Sequence, residues 1–359
     1  MGYGGNMSWE DNVRKVVPYT PGEQPKIKNI IKLNTNENPY PPAPGVKKVL
    51  EEMEVSDFRK YPDPTCDELV TAIADFYKLD KENVFVGVGS DDVLAMAFLT
   101  FFNSKDPEKK VLFPDITYSF YDVWADLFRI PFRQVPLNDD FTITPSDYFA
   151  ENGGVVIANP NAPTGVLLPL DQIEEIVKRN SDVVVIVDEA YIDFGGESAL
   201  PLIDKYENLL VVQTFSKSRS MAGMRIGYAF GCKKIIKYLL DAKFSFNSYT
   251  MNMPALSLGA AAVKDKEYFE ECRKKVIATR ERVKPLLTEL GFTFGDSKTN
   301  FIFAKHKEKR GKEIFDYLRQ NGIVVRRFDL PRISEYLRIS IGTDEEMDRL
   351  ISVLKEILG

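Results

Sequence analysis

Short, nearly continuous apolar runs recur through the middle of the chain: Val84–Val86, Val111–Phe113, Val155–Ala158, Val183–Val187, Leu209–Gln213 and Ile226–Phe230. Each has the length of a strand and lacks a polar face, so each reads as a buried β-strand. Between them lie stretches such as Leu170–Arg179, where apolar positions return at helical spacing. Strands that are apolar along their length and alternate with helices predict an α/β fold, with a largely parallel sheet covered on both faces. Ligands in such sheets bind beyond the carboxyl ends of the strands. Polar residues that immediately follow a strand are therefore the first place to look for chemistry.

The pattern changes at both ends. Up to about Pro44 the chain is rich in Pro and Asn and has no clear period, although Leu33-Asn34-Thr35-Asn36-Glu37-Asn38-Pro39 favours an ordered turn. From about Tyr268 a long charged helix is expected. Beyond it, Asn300–Ala304, Gly322–Arg326 and Tyr336–Ile341 read as strands of a smaller α/β domain. There is no internal repeat and no low-complexity linker. The expected organisation is an N-terminal arm over 1–44 that joins the smaller domain, a large domain over 45–265 and a small domain over 266–359. The boundary falls within Tyr249–Arg282.

A chain of 359 residues suggests two cores rather than one. With 44% hydrophobic and 28% charged residues it should fold compactly, and its net charge of −6 argues against a nucleic-acid backbone or an anionic membrane as partner. The most apolar stretch, Val93–Phe102, is too short to span a bilayer. No N-terminal segment couples a basic stretch to an apolar one and a cleavage site. Cys66, Cys232 and Cys272 are odd in number and far apart, which suits a reducing compartment and a cytoplasmic address better than a disulfide framework. The only histidine, His306, sits in the charged run Lys305–Arg310. That removes Ser-His-Asp chemistry, histidine acid–base catalysis and most histidine-based metal sites. A bound cofactor is the natural alternative.

Candidate chemistry follows the strands. After Leu209–Gln213 come Thr214-Phe215-Ser216-Lys217-Ser218-Arg219, with Arg225 a little further on. Lys217 alone reads more readily as an ordinary surface lysine in a loop; as a Schiff-base lysine it would need a polar pocket, with Ser216 and Arg225 beside a phosphate. Asp188 closes the run Val183–Val187, where burying a carboxylate is costly unless it meets a cation such as a pyridinium nitrogen. A helix cap or a metal ligand is the alternative there. Tyr191 and Asn161, the latter in the stiff turn Asn159–Gly165, could reach the phenolic oxygen of the same ring. Gly87-Val88-Gly89-Ser90-Asp91 opens an apolar helix and offers backbone N–H groups to an anion. Asp92 stands where a dinucleotide fingerprint needs its third glycine, and no nucleoside-triphosphate loop is present. Tyr118 follows Val111–Phe113 and is placed either to stack on a planar ring or to fill the core.

In this order, Gly87-x-Gly89-Ser90-Asp91, Tyr118, Asn159-Pro160-Asn161-x-Pro163-Thr164-Gly165, Asp188-Glu189-Ala190-Tyr191 and Ser216-Lys217 through Arg225 resemble the fold-type I pyridoxal-phosphate aminotransferases over nearly the whole chain. Leu33–Pro41, Arg59–Asp63 and Leu337–Thr343 are similar to the histidinol-phosphate branch of that family. The resemblance implies pyridoxal 5′-phosphate as cofactor and a large sheet sandwiched by helices beside a smaller C-terminal domain. It makes Lys217 the Schiff-base and proton-shuttling lysine and pairs Asp188 with the ring nitrogen. Tyr191 and Asn161 would meet the ring oxygen, and Tyr118 would stack on the ring. Ser90, Asp91, Thr214, Ser216 and Arg225 belong to the cofactor-binding set, with Tyr61 reaching the phosphate from the partner subunit of a homodimer.

Arg338 would grip the substrate's anionic group, with Arg326 as second cation and Tyr19 and Asn36 near the substrate. The doubly basic Arg326-Arg327, together with Arg332 and Glu335 in the following loop, leaves open which arginine faces the substrate. The implied reaction is transamination of L-histidinol phosphate with 2-oxoglutarate, giving imidazole acetol phosphate and L-glutamate. An aromatic aminotransferase, a threonine-phosphate decarboxylase and, more remotely, a non-catalytic cofactor-binding regulator are the competing readings.

Overall fold

The computed structural model describes residues 9–20, 22–25 and 29–359. The arm expected over 1–44 therefore lies partly outside the described residues. Among the described residues the strands form two sheets. The larger has the order β2-β8-β7-β6-β5-β3-β4, built from β2 (Val84–Gly87), β3 (Val111–Pro114), β4 (Phe132–Val135), β5 (Gly154–Ala158), β6 (Val185–Asp188), β7 (Leu209–Thr214) and β8 (Gly227–Gly231). Pairing is parallel from β7 through β6, β5 and β3 to β4, whereas β8 runs antiparallel to both β2 and β7. Every apolar run picked out in the sequence is a strand of this sheet, displaced by a residue or two at its ends. The helix expected at Leu170–Arg179 forms over those residues.

Apart from the edge strand β4, which exposes Arg133 and Gln134, the strands are largely apolar because both faces are covered. Val155 and Ile157 of β5 enter one core cluster, while Val156 and Ala158 enter the other on the opposite face. Each buried Val or Ile stabilises the fold by roughly 1.5–3 kcal/mol relative to exposure. No polar side chain can sit mid-strand without losing that, so the polar residues gather at the strand ends. Gln213 and Thr214 at the end of β7 and Asp188 at the end of β6 mark that edge.

The smaller sheet has the order β1-β11-β12-β10-β9, from β1 (Ile31–Leu33), β9 (Phe292–Phe294), β10 (Phe301–His306), β11 (Ile323–Arg327) and β12 (Leu337–Ser340). The N-terminal segment is thus partly a strand: β1 pairs parallel with β11, Leu33 opposite Val325. The long charged helix runs Lys266–Glu289, and the closing helix Asp344–Leu358 starts from a capping box between Thr343 and Glu346. A small cluster of Ile116, Leu137, Phe303 and Ile333 joins elements of the two sheets. Among the described residues no helix is long and apolar enough to cross a membrane.

One close approach fixes the edge of the larger sheet. A Cβ on Gly227, the first residue of β8, would lie 2.2 Å from the backbone nitrogen of Ser90 and from the carbonyl carbon of Gly89. Only glycine lets β8 press its backbone on the start of helix Gly89–Phe101. Gly227→Ala is expected to destabilise the fold by about 1–3 kcal/mol as overpacking, measured by urea unfolding. Gly223→Ala, where a Cβ meets nothing within 4 Å, should stay within about 0.5 kcal/mol of the parent.

Candidate active site

The carboxyl ends of β5, β6 and β7 and the start of helix Gly89–Phe101 enclose a cavity of about 370 Å³, with Ser90, Asp91, Tyr118, Asp188, Tyr191, Thr214, Ser216, Lys217 and Arg225 on its wall. An adjoining cavity of about 190 Å³ shares Thr35, Tyr118, Ala162, Tyr191 and Lys217 with it and adds Tyr19, Asn36, Arg326 and Arg338. Residues spread from Tyr19 to Arg338 in sequence thus converge on one continuous space.

Lys217 enters where the loop after β7 turns across the cavity. Its Nζ donates to the Thr35 carbonyl at 3.1 Å and stands 5.7 Å from the centre of the Tyr191 ring. Among the described residues no carboxylate forms an ion pair with it. Its backbone is pinned from the other side: Asn38 Nδ2 donates to the carbonyls of Lys217 and Ser218 at 3.1 and 3.3 Å. The turn around Asn36 and Asn38 is therefore part of the site's frame. The cluster Leu33–Pro39 carried that signal in the sequence, although Thr35 and Asn38 were not singled out.

Asp188 is buried, one oxygen accepting from the Tyr121 hydroxyl at 2.7 Å and the other from the Ala190 N–H at 3.2 Å. Burial pushes its carboxyl up to about 6, against the pull of those two donors, and the Asp91 carboxylate adds to the rise. Neighbouring Glu189 is pushed up to about 7 by burial although it accepts from Ser198, the Ala199 N–H and Gln213. The two adjacent acids point into different networks, and only Asp188 lines the cavity.

At the opposite end the cavity is built for an anion. The first-turn N–H groups of helix Gly89–Phe101 have no acceptor within the helix and carry the positive end of its dipole. Gly89 adopts φ +83°, and a Cβ there would lie 2.5 Å from Arg225 Nη2. Arg225, itself left-handed at φ 51°, reaches Asp91 Oδ2 at 3.1 Å and the Ser216 hydroxyl at 3.5 Å. Thr214 donates to Ser216 Oγ at 3.0 Å and so aims it. Tyr118 donates its hydroxyl to Asp91 Oδ1 at 2.7 Å, which ties the ring to the same corner; burial, then the Asp91 charge, raises that phenol far above its usual range.

Other expected residues are placed less directly. Asn161 lies behind the wall made by Pro160 and Ala162, its Nδ2 donating to the Ile116 carbonyl and Thr164 Oγ1 at 2.8 and 2.9 Å. One of these bonds lies within the turn, to Thr164, and the other ties the turn to the loop after β3. The Tyr191 hydroxyl is on the wall, accepting from Asn36 Nδ2 at 2.9 Å. Tyr61 is 80% exposed and packs on Tyr249, so it does not line this chain's cavity.

The arginines sort themselves by their partners. Arg327 donates to the Ser334 carbonyl and Asp329, and Arg332 to Asp115 and to the carbonyls of Leu137 and Asn138. Arg326 and Arg338 both face the second cavity and are register partners on β11 and β12. Like charges directly opposite on neighbouring strands repel. Burial lowers Arg338 from its ordinary value and Arg326 lowers it further, while Tyr191 pulls it back. Its Nε is buried without a partner, and its Nη2 donates to the Asn34 carbonyl at 3.0 Å. Two facing cations with an unused donor form a site that an anion would complete.

The cavity's parts suit a flat, phosphorylated pyridine: an acid for a ring nitrogen, an aromatic wall, an amine for an aldehyde and an anion cradle that glycine alone permits. Sequence reading missed Tyr121, which sits in the aromatic stretch Tyr118-Ser119-Phe120-Tyr121, where nothing local distinguishes a partner of Asp188 from a core side chain.

Residues 28–354 match the family described as aminotransferase class I and II. The chain is 51% identical to the histidinol-phosphate aminotransferase of Lactococcus lactis subsp. cremoris (strain MG1363), over 98% of each chain. It is 52% identical to the histidinol-phosphate aminotransferase of Brachyspira hyodysenteriae, over 97% of this chain and 98% of that protein. The solved histidinol-phosphate aminotransferase of Sinorhizobium meliloti in complex with pyridoxal-5′-phosphate superposes with a TM-score of 0.82 at 25% identity, covering 91% of this chain and 90% of that one. The two-sheet architecture is that of the fold-type I enzymes, and the likeness runs through both sheets. By fold, site and sequence, the chain belongs to the histidinol-phosphate aminotransferase family of class I and II aminotransferases.

Proposed function

We propose that the chain carries out pyridoxal 5′-phosphate-dependent transamination between L-histidinol phosphate and 2-oxoglutarate, yielding imidazole acetol phosphate and L-glutamate. The observation that carries the reading is the opposed placement of the Lys217 amine, the buried Asp188 carboxylate and the Arg326–Arg338 pair around one space. Relatives about half identical over nearly the full chain bear the corresponding name.

When bound, the cofactor supplies an aldehyde that captures amines and a protonated ring that accepts an electron pair. The chain's residues do the rest. Ser90 and Asp91 through their backbone N–H groups, with Ser216 and Arg225, hold the phosphate, and Thr214 orients Ser216. Asp188 keeps a proton on the ring nitrogen, and the Tyr118 ring forms the wall behind it. Tyr191, joined by Asn161 once its amide turns, meets the ring oxygen. Lys217 Nζ would be the base that takes the proton from the substrate's Cα and the acid that delivers it to the cofactor's aldehyde carbon. Arg338 and Arg326 clamp the phosphate of one substrate and the carboxylate of the other, with Tyr19 and Asn36 closing the pocket. Guanidinium forks accept both anions because each offers paired donors to either geometry. Tyr61 would complete the phosphate site of a second copy, and the exposed Val55, Phe58, Tyr61 and Phe246 supply apolar surface for that contact. A cytoplasmic location fits the three free thiols, Cys66, Cys232 and Cys272.

The test is a coupled assay on protein loaded with the cofactor. Glutamate should form rapidly from L-histidinol phosphate and 2-oxoglutarate, and far more slowly from L-phenylalanine; preference for phenylalanine would move the chain to an aromatic specificity. Lys217→Ala should lose turnover by on the order of a thousand-fold or more while keeping the fold, as expected when nucleophile and base are one residue. Full activity in that variant would overturn the assignment of the base. Arg338→Ala should raise KM for both substrates by roughly ten-fold or more, the loss of a charge-assisted fork. An effect on glutamate alone would mean that Arg326 holds the phosphate by itself. Sedimentation should show a dimer, and mixing Tyr61→Ala with Lys217→Ala chains should restore up to about a quarter of the sites if Tyr61 acts across the interface. Restoration of none would place Tyr61 outside the site.

A further inference from the structure

Tyr121 opens helix Tyr121–Phe128, is fully buried, and gives its hydroxyl to Asp188 Oδ2 at 2.7 Å. Its ring stands among Phe98, Phe113 and Trp124 and meets Tyr118 edge-on at 5.7 Å and 83°. In that apolar layer an unpartnered hydroxyl is costly, and the carboxylate is the acceptor it finds. Asp188 in turn has one donor on each oxygen, Tyr121 on Oδ2 and the Ala190 N–H on Oδ1, and no ion-pair partner among the described residues. Of the two bonds the one from Tyr121 is shorter, and it alone comes from a side chain.

We propose that Tyr121 is a positioning residue that acts through Asp188: its hydroxyl keeps the carboxylate ionised and so leaves the proton on the ring nitrogen of the bound cofactor. This deepens the proposed function and rests on it. The sign follows from a shared proton. A carboxylate facing a pyridine nitrogen can hold the proton itself or leave it on the ring, and each donor to the carboxylate lowers its own claim on that proton. Deleting the donor tips the balance toward a neutral ring, which is the poorer electron acceptor. A hydrogen bond to a charged group shifts such an equilibrium on the order of ten-fold or more. The same phenol braces Tyr118, whose hydroxyl is bound by Asp91, which also receives Arg225. Tyr121→Phe keeps that ring contact and removes only the oxygen, so it separates the electrostatic role from the packing role.

The experiment loads wild type, Tyr121→Phe, Asp188→Asn and the double variant with pyridoxal 5′-phosphate labelled with nitrogen-15 in the ring. The ring-nitrogen shift is then read by NMR, with kcat and KM alongside. Tyr121→Phe should move the shift toward that of a neutral pyridine and lower kcat by about ten-fold, with KM for histidinol phosphate unchanged. In the Asp188→Asn background the same substitution should change neither quantity, because the group it acts through is gone. A wild-type shift in Tyr121→Phe, or an equal loss in both backgrounds, overturns the proposal. Failure of the wild-type protein to take up the cofactor would instead sink the functional reading beneath it.

Discussion

Asp188 ends a strand whose other residues are apolar and buried, and its carboxylate lies inside the molecule with two donors and no cation among the described residues. A carboxylate in that state resists ionisation, since burial pushes it up to about 6. Much of the centre is arranged around that tension. Tyr121 comes in from the helical layer on one face, the Ala190 N–H comes from the chain's own next turn, and the open side faces the cavity. A protonated ring nitrogen in that opening would supply the missing positive partner, so the cost of burying the acid becomes affinity and orientation for the proposed cofactor.

The two ends of the cavity solve opposite electrostatic problems. At the phosphate end, backbone N–H groups and Arg225 offer positive potential, and Asp91 partly satisfies Arg225 meanwhile. At the substrate end, Arg326 and Arg338 face each other across neighbouring strands, and among the described residues no carboxylate forms an ion pair with either. The first end is preorganised by glycines that let backbone press on backbone at Gly89 and Gly227. The second is held by the register of β11 and β12 and by the aromatic faces of Phe301 and Phe328 under the guanidiniums. A site with a stiff cofactor end and a cationic substrate end suits an enzyme that must accept anions of two shapes in turn.

Position along the chain has little bearing on position in the site. Thr35 and Asn38 reach the lysine because β1 joins the smaller sheet and carries the following turn back over the end of β7. The N-terminal segment therefore serves both sheets, as part of one and as a clamp on the loop that leaves the other.

The sequence by itself determined six of the seven strands of the larger sheet and the polar groups at the carboxyl ends of its parallel strands. Continuous apolar runs can be buried on both faces only, and a carboxylate that ends one is held at the carboxyl edge of the sheet. Asp188 was legible for that reason, whereas Lys217, Ser216 and Arg225 became legible only as an ordered set with the other motifs. Strand direction was not: the antiparallel course of β8 leaves the same apolar pattern as a parallel one, since both faces are covered either way. The short strands β1, β4 and β9 were missed because three or four residues of mixed exposure carry no usable period. Tertiary structure alone brought Tyr121 to Asp188 across 67 residues and set Arg326 opposite Arg338 while tying Arg327 and Arg332 elsewhere. It also tied the Asn161 amide to Thr164 in its own turn and to the Ile116 carbonyl beyond it. Those outcomes depend on which surfaces meet, and local sequence records only which surfaces are apolar.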